Sequence, residues 1–257
     1  MSTGSQALGL SAPPAPPKVS VVIPARNDAP ALDRCLRALR AQHVAPLEIV
    51  VVDNASTDAT AQVARDHGAR VVTEPRVGIP QAAAAGYDAA RGDIIARLDA
   101  DSLPPPTWVG TVRTLLGDAG PDAHAVTGVG RFYEWPRAGG FAAAVYLGAY
   151  YLLCTAALGH PPLWGSNMAV RASAWRRVRA RVHRDDAEVH DDLDLAFALG
   201  PGRRIALCRS LRVGVSGRSI VGWWQLRRRF ARAFRTLGRN WSHLPPWQRW
   251  ALRRRTG

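Results

Sequence analysis

The 257 residues are 47% hydrophobic, enough for one sizeable core in one large domain or two small ones. Three scattered cysteines, Cys35, Cys154 and Cys208, exclude a disulfide framework and a zinc site, and point to a reducing compartment. The net charge of +14 is lopsided: residues 1–194 hold 19 Lys and Arg against 20 Asp and Glu, whereas residues 195–257 hold 15 Arg and no acid, so the excess attracts anionic partners.

Residues 1–17 have no charge and are rich in Ala, Ser, Pro and Gly. They read as a disordered leader, without the basic and apolar run of a secretory signal. Residues 19–23 are a β-rich run ended by Pro24, a buried strand by pattern. Over 29–41, Ala31, Leu32, Cys35, Leu36 and Leu39 fall at helical spacing. A second strand over 47–52 ends at Asp53, and Ser56 has the character of an N-cap for a helix carrying Ala59, Val63 and Ala64. Residues 70–73 form a third strand, 80–90 an Ala-rich helix, and 94–98 a fourth strand that ends at Asp99. Strand–helix alternation at this spacing predicts an α/β fold with a doubly wound, mostly parallel sheet flanked by helices. Ligands bind at the carboxyl ends of such strands, where Arg26, Asn27, Asp53, Asp99 and Asp101 fall. Beyond residue 102 the pattern loosens. Residues 138–159 carry no charge over 22 positions, long enough to span a bilayer. One crossing would separate Asp101 from the acids at 191–194, so a buried or interfacial helix, or a re-entrant hairpin, is expected instead.

Asp99 and Asp101 flank small Ala100. In an extended strand end, residues two apart point the same way, so both carboxylates are expected to face one cation. Mg²⁺ and Mn²⁺ prefer oxygen ligands, and Mg²⁺ often takes only one or two from protein and the rest from phosphate and water.

Five segments then occur in order: VSVVIPARND (19–28), VVDNASTDAT (51–60), RGDIIARLDAD (91–101), GSNMAVR (165–171) and HDDLDL (190–195). Together they resemble the family 2 glycosyltransferases of the GT-A fold, over roughly residues 18–200. The resemblance implies a UDP- or GDP-sugar donor and a Mn²⁺ or Mg²⁺ cofactor. It implies that Pro24, Ala25 and Asn27 border the nucleoside and that Asp53 bonds the base. Asp99 then lies near the ribose and metal, and Asp101 is the direct metal ligand. Gly165, Ser166 and Asn167 would form the acceptor-side loop. Asp192 would be the catalytic base of an inverting transfer, with Asp191 beside it. Crowding by Glu188, Asp191 and Asp194 favours a basic Asp192, because like charges raise a carboxylate's pKa. Ala83 and Ala84 stand where the family often has Arg-Asn, so a donor contact is missing or is replaced by Gln81 or Arg76. A sugar-1-phosphate nucleotidyltransferase would need a Gly-rich basic loop after the first strand, which Pro24-Ala-Arg-Asn-Asp28 lacks. A non-catalytic membrane scaffold would not need Asp99, Asp101 and Asp192 together.

Residues 216–257 form a basic, Trp-rich tail after a transferase region at 18–215. Trp223, Leu226, Phe230, Phe234, Leu237 and Trp241 recur at spacings of three and four, with most arginines off that stripe. This is a basic amphipathic helix, suited to docking on the body or to lying on an anionic membrane. Nothing in it resembles a nucleic-acid module. Gln225 and Arg228 partly resemble a motif of processive members of the family, which would set Arg228 by the donor diphosphate. The tail and residues 138–159 together suggest a lipid-linked or cell-envelope glycan acceptor, reached from the cytoplasmic face of the plasma membrane.

Overall fold

The computed structural model describes residues 15–117, 123–135, 139–219 and 223–256, with backbone alone at 219, 223–226 and 256. Most of the expected leader, and the Gln225 side chain, lie outside the described residues.

The first half is built as its apolar runs predict. Strands β1 (Val19–Ala25), β2 (Glu48–Asp53), β3 (Arg70–Thr73) and β4 (Ile94–Arg97) alternate with helices α1 (Ala29–Arg40), α2 (Thr60–Asp66) and α3 (Ile79–Ala89). These four strands pair in parallel in the order β3-β2-β1-β4. Period-two alternation serves both faces of the sheet. Val21 and Ile23 pack with Leu32, Leu36 and Trp108 on one side, and Val22, Val50 and Val52 with Ala83, Tyr87 and Trp175 on the other. Ser56 does not cap α2, which starts at Thr60 with Asp58 Oδ1 accepting the Thr60 N–H at 2.9 Å.

After helix α4 (Trp108–Gly117) the sheet continues through long-range pairing. Strand β5 (Ala123–Phe132) is followed by helix α5 (Gly139–Leu158), strand β6 (Met168–Arg171), helices α6 (Ala172–Val178) and α7 (Asp191–Leu199), and strand β7 (Arg204–Val215). β6 inserts antiparallel between β4 and β5, and β7 pairs parallel to β5, giving β3-β2-β1-β4-β6-β5-β7.

The uncharged segment is one continuous helix, α5, and not a re-entrant hairpin. One side lies on β5, where Tyr151 Oη donates to the Gly128 carbonyl at 2.6 Å and Ala143, Leu147 and Leu158 are buried. One side is thus committed to the sheet, in a helix that is by length and composition apolar enough to cross a membrane. Its other side is bare. Helices α8 (Trp223–Trp241) and α9 (Pro246–Thr256) then fold back over the body. Asn240 of α8 donates to Asp194 Oδ1 at 2.9 Å, and the His190 N–H to Thr236 Oγ1 at 2.8 Å. Arg232 pairs with Glu188 at 3.0 Å, and Arg235 and Arg239 both pair with Asp186 at 2.9 Å.

The carbonyl end of α5 receives four side chains from these helices. Trp250 Nε1 donates to Ala156 O (2.9 Å), Trp241 Nε1 to Ala157 O (3.2 Å), Arg249 Nε to Leu158 O (2.7 Å) and Arg253 Nη1 to Gly159 O (2.6 Å). A helix end leaves its last carbonyls without intrahelical partners, and two of these donors are cations at the negative pole of the helix dipole.

Candidate active site

The carboxyl ends of β1, β2 and β4 open onto a cleft of about 290 Å³. Its walls include Pro24, Ala25, Asn54, Asp99, Asp101 and Arg218. Two residues turn the chain there in the left-handed region, Asn27 at φ 50° and Ala55 at φ 54°. Asn27 tolerates that geometry, and it laces the two loops: its Oδ1 accepts from the Thr57 N–H at 2.7 Å, and its own N–H donates to Ser56 Oγ at 3.2 Å. Ser56 therefore serves the loop and not the helix. Asp53 ends β2 and accepts the Ser56 N–H at 3.2 Å, while its neighbour Asn54 lines the cleft and fixes the next loop through the Gly78 N–H at 2.8 Å.

Asp99 and Asp101 both face the cleft, but not as an extended pair. The chain turns at this point, with the Ser102 N–H donating to the Asp99 carbonyl at 3.0 Å. Asp99 is held from two sides, by Ser166 Oγ at 2.5 Å and Arg97 Nη2 at 3.2 Å. Asp101 faces Arg218, whose Nε is 3.2 Å from Oδ2. Arg218 also grips Asp28, with Nη1 to Oδ1 at 3.1 Å. Burial, and then the charge of Asp99, push the Asp101 carboxyl up to about 6 against the pull of Arg218. Among the described residues no cluster of three or more His, Cys, Asp or Glu could hold a metal. Two carboxylates beside an open cleft nevertheless fit Mg²⁺ or Mn²⁺, which complete their shells with phosphate and water.

Asp192 sits in the first turn of α7. Its Oδ2 accepts the Gly165 N–H at 2.8 Å and its Oδ1 the Leu193 N–H at 2.7 Å. Gly165 and Ser166 therefore touch Asp192 and Asp99 respectively, and two adjacent residues tie the two acids together. The crowding expected around Asp192 is distributed elsewhere. Glu188 pairs with Arg228 and Arg232. Asp194 is buried, accepting from the His183 N–H at 2.6 Å. Asp191 forms an ion pair with Arg97. Burial pushes the Asp191 carboxyl up to about 6, opposed by the Arg97 charge.

Three expected contacts fall outside the cleft. Asn167 is fully buried: it accepts from Trp108 Nε1 at 2.8 Å and donates to Val129 O at 3.0 Å and Leu211 O at 2.8 Å. It shapes the loop from behind and has no atom left for a substrate. Arg228, expected by the donor diphosphate, lies 3.3 Å from Glu188 on the surface of α8, and the guanidinium beside Asp101 is that of Arg218. Arg76 pairs with Glu74 and Asp185, and Gln81 is buried in α3.

Arg97 and Arg218 are the residues that sequence reasoning missed. Buried Arg97 reaches from β4 to Tyr87 Oη at 3.4 Å, to Asp99 and to Asp191. A Cβ on Gly165 would meet its guanidinium carbon at 2.8 Å, so any other residue there would push Arg97 from its present place. Strand alternation could have found it, since Arg97 lies two residues before Asp99 in an otherwise apolar strand. Arg218 is carried past β7 by a loop fastened to Glu134, whose Oε2 accepts the Gly217 N–H at 2.8 Å. No local pattern marks it.

The model of glycosyl transferase family 2 matches residues 20–176, more than half of the chain. This chain belongs to glycosyl transferase family 2. An uncharacterized glycosyltransferase of Mycobacterium tuberculosis is 42% identical over 110 residues, covering 43% of this chain and 47% of that protein. The glycosyltransferase AglE of Haloferax volcanii is 34% identical over 101 residues, covering 36% of this chain and 33% of that protein. The chain thus spans about half the length, or less, of these family 2 relatives. Mannosyltransferase PcManGT from Pyrobaculum calidifontis, solved with GDP-Man and Mn²⁺, superposes with a TM-score of 0.64 at 24% identity, over 93% of this chain and 74% of its own. Glucosyl-3-phosphoglycerate synthase from Mycobacterium tuberculosis, solved with Mn²⁺, UDP and its glucosylated product, gives 0.64 at 22% identity, over 88% and 80%. These likenesses establish the GT-A fold for this family 2 chain.

Proposed function

We propose that this chain transfers a sugar, with inversion, from a UDP- or GDP-sugar to an acceptor hydroxyl or phosphate. The observation that carries the reading is the clamp of Gly165 and Ser166, which holds Asp192 and Asp99 on adjacent residues. A displacement at an anomeric carbon needs a base on one side of the sugar and a stabilised leaving group on the other, held in fixed relation. Asp192 takes the proton of the acceptor hydroxyl, its carboxylate aimed by the Gly165 and Leu193 N–H groups. Asp101 with Asp99 would hold Mn²⁺ or Mg²⁺, whose charge offsets that of the departing diphosphate. Arg218, bonded to Asp28 and Asp101 across the cleft, supplies a guanidinium for that diphosphate, in a cleft that Arg26 and Arg97 also line. Pro24, Ala25 and Asn54 wall the nucleoside side, with Asp53 just behind. The Mn²⁺, GDP-Man and UDP of the two superposed enzymes support this donor class and this cofactor. The bare face of α5 and the acid-free C-terminal region support a lipid-linked or cell-envelope acceptor at the cytoplasmic face of an anionic membrane.

Nucleotide binding and transfer can be separated. Asp192→Asn should retain Mn²⁺-dependent UDP or GDP binding in a thermal-shift panel, while donor turnover falls by about 10²- to 10⁴-fold. Normal turnover by that variant would remove Asp192 as the base.

A further inference from the structure

We infer that α5, α8 and α9 together build a docking face that inserts part-way into an anionic lipid bilayer without crossing it. The inference rests on the membrane placement proposed above and names the surface that achieves it.

α5 has 20 residues and no charge. Its sheet-facing side is buried, whereas Phe141, Leu152 and Leu153 on the opposite side are 77%, 73% and 64% exposed. The helices beside it extend this apolar surface. Trp241 at the end of α8 donates to the Ala157 carbonyl of α5, and Arg229 near its start to Tyr146 Oη at 2.7 Å, so the aromatic stripe of α8 runs beside α5. Phe230 and Phe234, four residues apart on that stripe, are 53% and 70% exposed. On α9, Trp250 donates to the Ala156 carbonyl. Trp247, one turn earlier on the same helix face, is 71% exposed. Such a surface exceeds the scattered apolar residues of ordinary exteriors.

The charge at its rim selects the occupant. On the far flank of α8, Arg228, Arg232, Arg235 and Arg239 are matched by Glu188 and Asp186. Arg254 and Arg255 of α9 are exposed, and no acid occurs after Asp194. A second copy meeting this face about a twofold axis would bring arginine rim against arginine rim, which like-charge repulsion opposes. An anionic bilayer accepts both components: the apolar residues enter the acyl boundary, the tryptophans sit at headgroup depth, and the arginines meet phosphate. The same face adjoins the site. α5 leads into the segment ending at Gly165, and Tyr150 Oη donates to Leu163 O at 2.6 Å to pin that connector on the helix. Docking would therefore bring the loop between Asp99 and Asp192 towards the lipid surface that carries the acceptor.

The test is flotation of the full chain with vesicles of equal parts phosphatidylglycerol and phosphatidylcholine, and with phosphatidylcholine alone. The chain should float with the anionic vesicles and less with the neutral ones. The triple variant Phe141→Ser, Leu152→Ser, Phe234→Ser should lose about tenfold or more of that partitioning. Its three positions are exposed, so its thermal midpoint and its Mn²⁺-dependent nucleotide binding in vesicle-free buffer should match the parent. A parent chain that stays in solution with anionic vesicles, or a triple variant that floats equally well, would overturn the inference. So would a concentration-dependent dimer that the triple variant dissolves, since a second copy would then be the occupant. Nucleotide binding without vesicles tests the transferase reading separately, so either reading can fail alone.

Discussion

Two arginines give the acids of the cleft different company. Arg97 is buried and fixed between Asp99 and Asp191, so it behaves as part of the scaffold. Arg218 is half-exposed and comes from a loop, and it lies on Asp101, the acid that a divalent cation would need. A guanidinium there keeps the cleft electrically balanced when no cation is present, and it must share or leave Asp101 when one arrives. Arg218→Ala should therefore tighten Mn²⁺ binding by up to about fivefold, the scale of a partly exposed ion pair. It should weaken UDP or GDP binding in the presence of Mn²⁺ by about tenfold, because a charge-assisted bond to phosphate is lost. Calorimetric titration of metal alone, then of nucleotide with saturating metal, reads both. Unchanged values in both titrations would reduce Arg218 to a surface pair.

At the level of elements, the join between α5 and α9 rests on a buried arginine. Arg249 is buried with no acid beside it, and burial lowers its guanidinium to about 10. It is held by the Leu158 carbonyl, by His160 Nε2 at 3.2 Å and by the Phe197 ring at 4.6 Å. Arg249→Ala should cost about 3 kcal/mol, because it leaves buried acceptors unpaired and a cavity behind; a fall of roughly 10 °C in thermal midpoint would register it. The sequence did not announce this join. β1, β2 and β4 were legible because apolar runs ended at polar residues, and α8 because its aromatic residues recur at helical spacing. β6 lay hidden inside the GSNMAVR segment read as a binding loop, since an antiparallel insertion of four residues has no local signature. β7 carries Arg204, Arg209 and Arg212 without strict alternation and finds its place by pairing with β5 across more than seventy positions. Asp99, Asp101 and Asp192 were readable through the resemblance. The burial of Asn167 was not, because it depends on Trp108, Val129 and Leu211 converging from three distant segments.

Over the whole molecule, the C-terminal helices are a working part of the body and not an appendage. Ending the chain at residue 222 would strip the Ala156–Gly159 carbonyls of their donors and leave Asp186 and Glu188 without their arginines. Such a truncated protein should lose the parent's elution position on size exclusion and aggregate through α5, and a monodisperse, stable product would show that α8 and α9 are dispensable. The four donors at the end of α5 reach it across 84 to 94 residues of chain. During synthesis, α5 and the connector to Gly165 must therefore wait, with their carbonyl end open, while more than eighty further residues emerge. A growing chain would thus carry its apolar helix uncovered for seconds at ordinary elongation rates, an interval in which a nearby membrane or a chaperone can take hold of it before the enzyme is complete.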